Sequence, residues 1–154
     1  MYPTLLAIHS LVRWLVLASL IFAIYRTYFG WKHHKKFTKL DDQIRHITAT
    51  IAQVQLLLGL WLYAISPIVA FFLANFKEAI HLRQVRFFGM EHITVMLSAV
   101  IVISIGSIKA KRKTTDNEKF RTIYVWFGIG LLLILSSIPW SFSPLISRPL
   151  FRAF

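Results

Sequence analysis

The run from Phe87 to Ile108, FFGMEHITVMLSAVIVISIGSI, is long enough to cross a bilayer, and it carries Glu91 and His92 near its first turns. Ionisable groups are costly in hydrocarbon. Within a span they face the bundle interior, pair with one another and mark functional sites. A second histidine, His9, lies at nearly the same depth in the first apolar run. The chain is therefore confined to a membrane fold in which the interior accepts these side chains, and the question is whether His9 and His92 hold something between them.

Composition narrows what that something is. With 154 residues, 56% of them hydrophobic and 16% charged, the chain reads as one small integral membrane domain of residues 1–154. It has no cysteine, which excludes a disulfide framework, a thiolate metal site, an iron–sulfur cluster and haem attached through CxxCH. Any cofactor is held by His, carboxylate, backbone or shape. The net charge of +12 sits in the loops between apolar runs, so anionic lipid headgroups are the simpler partner and nucleic acid is not expected.

Four spans are expected, at about 3–25, 47–65, 87–108 and 123–140. The first lacks a basic leader and a small-residue cleavage site, and Arg13 stands where a signal peptide needs its apolar centre, so it reads as retained. The second is closed by Ser66-Pro67, because the residue before proline is pushed away from helical geometry. Its helix is expected to start near Asp41-Asp42. Residues 67–84 set Ile68, Phe72, Phe76 and Ile80 at steps of four among polar residues, an amphipathic pattern suited to the interface. A rival segmentation carries the second helix through Ala74. Pro139 ends or kinks the fourth span, and the proline-interrupted tail is expected on the membrane surface.

The first and third loops carry twelve Lys and Arg, against five on the opposite side. The positive-inside rule then makes those two loops cytoplasmic and puts both termini outside. Shortish connections between four spans predict an all-α, up-down four-helix bundle with an interfacial amphipathic segment between spans two and three.

Depth connects the two histidines. His9 is six residues past Pro3 and His92 five past Phe87, so each lies roughly 8 to 9 Å inside the outer edge. In an up-down bundle the first and third helices are diagonal, and inward side chains from them meet across the core. Two imidazoles at one level across a core is the arrangement that axial ligation of a b-type haem (heme b) needs. Arg13, one turn from His9 on the same face, is placed to pair with a propionate or with Glu91.

Blander readings stand beside these. A histidine in a span also serves as an interhelical hydrogen-bonding residue, Arg13 can snorkel, and Glu91 can act as a helix-start carboxylate. His33-His34 and His81 read as surface residues. His46, Thr50 and Gln53 form a polar stripe on the second span. Gln53, near mid-membrane, needs either an interhelical hydrogen bond or a quinone headgroup or cofactor edge. Trp14, Trp61, Trp126 and Trp140 read as packing and interfacial anchors.

The series HSLVRW near the start, QLLLGLWLYAISP in the second span, VRFFGMEH entering the third and IPW ending the fourth resembles a group of short, four-span bacterial membrane proteins usually labelled cytochrome b or cytochrome b-like. The resemblance covers most of the chain through short, apolar motifs. It implies haem binding and a bacterial inner (cytoplasmic) membrane, where the charge count makes the termini periplasmic, and His9, Arg13, Glu91 and His92 match residues typical of the group. Gln53 departs from it, since a His commonly stands at that place before QLL. A third His ligand, or a metal site needing three, is thereby left in doubt.

The leading expectation is a small electron-transfer protein with one haem between His9 and His92, lined by Arg13, Glu91 and Gln53, exchanging electrons with quinol or a respiratory assembly. The sequence contains no nucleophile–base pair and no phosphate loop. Two rivals remain open: a haem-free structural subunit in which His9, Arg13, Glu91 and His92 form a buried polar network, and a divalent-metal site built from His9, Glu91 and His92.

Overall fold

The computed structural model describes residues 1–141 and Ile146. It comprises α1 (Tyr2–Lys32), α2 (Lys39–Ile65), three short helices α3 (Pro67–Ala74), α4 (Phe76–Ala79) and α5 (Arg83–Arg86), a π-helical turn over Phe87–Glu91, α6 (His92–Lys111) and α7 (Asp116–Ser137). Among the described residues four helical stretches, Tyr2–Lys32, Lys39–Ile65, Arg83–Lys111 and Asp116–Ser137, are long and apolar enough to cross a membrane. They form an all-α four-helix bundle, as the apolar runs predicted. The expectation for the tail falls on residues 142–154, which apart from Ile146 lie outside the described residues.

Helix ends follow local chemistry. Thr38 caps α2: its hydroxyl accepts from the Asp41 amide, while the Asp41 carboxylate accepts from the Thr38 amide, a reciprocal capping box. The helix thus begins eight residues before the apolar run itself. At the other end Ser66 is extended, and Pro67 opens α3 at the first helical position, where a missing N–H costs nothing. Ile65 ends α2, so the segmentation that stopped at Ser66-Pro67 is the observed one, and the single long helix through Ala74 is not formed.

α1 packs on α2 and α7, and α6 packs on α2 and α7, which leaves α1 and α6 diagonal. Leu20, Ala23, Ile103, Ile123 and Phe127 are wholly buried at the centre. Leu11, Leu15, Phe22 and Leu132 are exposed on the outside, as a lipid-facing surface requires. α6 and α7 approach closely: a Cβ built on Gly106 would lie 2.2 Å from the Trp126 Cβ, and one on Gly130 would lie 2.4 Å from Ile103.

At the end bearing the first and third loops, polar ties join the helices. Asp41 is 4% accessible and accepts from Arg26 Nε at 2.6 Å, the Thr38 hydroxyl at 2.6 Å and the Thr38 amide at 2.8 Å. Arg45, also buried, donates to Asp42 at 2.9 Å and to the Ser107 carbonyl at 3.2 Å, linking α2 to α6. Replacing Asp41 with alanine removes the capping box and leaves Arg26 without its carboxylate. The expected cost is about 1–3 kcal/mol, read as a lower thermal midpoint in detergent; an unchanged midpoint would contradict this account of the α1–α2 junction.

Candidate cofactor-binding site

A cavity of about 430 Å³ opens within the bundle, a size ordinary for a small-molecule or cofactor pocket. His9 and Arg13 reach it from α1, Gln55 and Gly59 from α2, and His92 and Met96 from α6. Its other walls are mostly apolar, with Leu62, Val100 and Ile134 among them. The diagonal placement of α1 and α6 therefore brings His9 and His92 to one space, as their matched depth implied.

The His92 ring is oriented by α7. Its Nδ1 lies 2.8 Å from the main-chain oxygen of Ser137. A carbonyl oxygen only accepts, so Nδ1 carries the hydrogen and Nε2 carries the lone pair. Metal-ligating histidines are held this way, with one ring N–H on a carbonyl and the other nitrogen left to ligate. The Phe87 ring stands beside the imidazole, with centroids 5.6 Å apart.

The backbone just before His92 is specialised. The His92 amide bonds back to the Phe87 carbonyl, five residues earlier, closing the π turn. Gly89 lies inside this turn, where a Cβ would meet the Phe72 ring at 2.3 Å, so α3 seats directly against it. The Tyr63 hydroxyl, from α2, donates to the Gly89 carbonyl at 2.8 Å. α2, α3 and α6 are thus fastened around the turn that launches His92. Tyr63→Phe removes one hydrogen bond and is expected to cost about 0.5–1.5 kcal/mol. Slower amide exchange in the turn of wild type than of the variant is the check, and equal protection in both would contradict a fastening role.

His9 is enclosed differently. Its Nδ1 is inaccessible and has no hydrogen-bond partner among the described residues. The ring edge faces Gly59, where a Cβ would lie 3.2 Å from Cε1 and 3.8 Å from Nδ1. Glycine at this position lets the imidazole lie against α2, where a side chain would crowd it. Arg13 donates to Ser10 Oγ at 3.3 Å and lies 5.3 Å from the centroid of the Trp14 ring.

Two expected site residues fall elsewhere. Glu91 is half-exposed, does not line the cavity and forms an ion pair with Arg86 at 2.7 Å. Arg86 also donates to the Ile80 carbonyl, so the pair ties the short helices to the π turn. Gln53 is exposed on the outside of α2 and donates to Ser104 of α6 at 3.0 Å. This is the interhelical hydrogen bond rather than a cofactor edge. His46 and Thr50 share its exposed stripe. Among the described residues no three His, Asp or Glu side chains gather at one point, and the trio His9, Glu91 and His92 is not such a cluster.

The residue that the sequence reading missed is Gln55. Its amide donates to the main-chain oxygen of His9 at 2.9 Å, and its Oε1 is inaccessible with no partner among the described residues. Comparison with known proteins returned no family model, no curated protein and no solved structure that matches this chain.

The donor set fits a haem better than a bare cation. A haem's macrocycle would supply four nitrogens of its own, so His9 and His92 would be the residues to hold its iron. The mostly apolar walls are what a flat, hydrophobic group needs.

Proposed function

We propose that the protein is a small multi-pass membrane cytochrome of b type, holding one haem b between His9 and His92 and passing single electrons. The observation that supports this most is the pair of imidazoles from diagonal helices lining one apolar cavity, with His92 already oriented by the Ser137 carbonyl. The haem, when bound, supplies reversible one-electron chemistry. The chain's own residues do the rest: His9 and His92 ligate, Arg13 offers positive charge to propionates, and the apolar walls exclude water and so tune the potential.

On this reading the donor is quinol or a respiratory assembly. The chain sits in a bacterial inner membrane with periplasmic termini and with its first and third loops cytoplasmic, among anionic headgroups. The test is a reduced-minus-oxidised visible spectrum of the purified protein in detergent. A sharp b-type band is expected. A colourless protein from cells supplied with haem precursor would overturn the proposal and leave a haem-free subunit, for which the His92–Ser137 bond would be a packing contact.

A further inference from the structure

We infer that Gln55 is the positioning residue for His9, its side-chain oxygen accepting the Nδ1 hydrogen while Nε2 ligates; the inference rests on the haem reading. His92 supplies the template. Its Nδ1 hydrogen goes to a carbonyl on the neighbouring helix, which settles which nitrogen is available to a metal. His9 has no such main-chain acceptor: its Nδ1 is buried and without a partner among the described residues.

The acceptor that matches it is Gln55 Oε1, equally buried and equally without a partner. A buried donor and a buried acceptor left apart each carry the full cost of lost hydration, and joining them removes both. The two belong to one locality. Gln55 Nε2 is anchored on the His9 main-chain oxygen at 2.9 Å, which settles the amide's direction, because the flipped amide would set oxygen against oxygen. Gly59, one turn further along α2, faces the Nδ1–Cε1 edge of the same imidazole. The edge of His9 that needs an acceptor is therefore the edge turned toward the Gln55–Gly59 stripe. With no Cβ at Gly59, the imidazole lies close against α2 on the side that carries Gln55.

Two readouts test this, the first independent of haem. In haem-free protein labelled with ¹⁵N-histidine, His9 is expected as the Nδ1–H tautomer in wild type and to lose that preference in Gln55→Leu. In haem-loaded protein, Gln55→Glu is expected to lower the midpoint potential and Gln55→Leu to raise it, with the b-type spectrum retained in both. Unchanged tautomer and unchanged potential in Gln55→Leu would overturn the role of Gln55 while leaving the haem proposal standing. Absence of haem from wild type would overturn that proposal instead, and the tautomer of His9 in Gln55→Leu would still decide for or against Gln55. Should Gln55→Leu fail to fold, a Gln55→Met protein, which likewise lacks the acceptor, with wild-type tautomer and potential is enough to reject the inference.

Discussion

Replacing His92 with alanine is expected to lower haem affinity by at least about 100-fold, since losing even an outer-shell partner of a metal site costs roughly 10–100-fold. His9→Ala is expected to do the same. On the proposed reading neither ligand has a substitute: Glu91 is engaged by Arg86, Gln53 lies on the outer surface, and among the described residues no third imidazole lines the cavity. Haem per protein, measured on wild type and both variants purified in parallel, is the check. His92→Ala also removes the bond to Ser137, so lost packing has to be separated from lost ligation. Added imidazole does this, because it fills the vacated position and restores haem binding only if the missing group was a ligand. Variants that keep wild-type haem content, or whose loss imidazole fails to reverse while they remain folded, would contradict axial ligation.

The second large effect lies far from the cavity. Gly106→Leu is expected to destabilise the bundle by about 1–3 kcal/mol or more, the usual cost of overpacking. A Cβ at Gly106 would sit 2.2 Å from the Trp126 Cβ, an atom fixed to the α7 backbone that no rotamer change can move aside. The helices must therefore part. Trp126 is further held by Lys109, whose Nζ lies 4.4 Å from the ring centroid. Because α6 and α7 also carry the His92–Ser137 bond, separating them loosens that site too. Gly128 is the control: among the described residues no atom lies within 4 Å of a Cβ built there, so Gly128→Leu is expected to be near neutral. Thermal midpoints of the two variants in one detergent decide the matter, and equal midpoints would refute close α6–α7 packing at Gly106.

The bundle was legible because its signals are local. Apolar length marks a span, Pro67 marks a break, and Asp41-Asp42 marks the neighbourhood of a helix start, which the Thr38 cap sets at Lys39. That His9 and His92 reach one cavity was legible from depth and from the diagonal placement of their helices, since counting residues along two helices that run the same way compares their heights. Direction around each helix was the part that failed. In a membrane protein the outer face is as apolar as the core, so a polar stripe does not say which way it points. Hence Gln53 was chosen and Gln55, two residues on and about 200° further round the helix, was not. Glu91 misled for a related reason. It adjoins His92 in sequence but belongs to the π turn, whose wider spacing sets it against Arg86, five residues earlier. A π turn leaves no composition signal, although Gly89 within FFGME is the residue that the close seat of Phe72 requires.

The measurement that bears most directly on the central claim is near-infrared magnetic circular dichroism of the oxidised, haem-loaded protein, because that spectrum reports the identity of both axial ligands. The low-spin signature of two imidazoles is expected, with one haem per chain. A high-spin signature, a ligand pair other than two histidines, or no haem signal would contradict it.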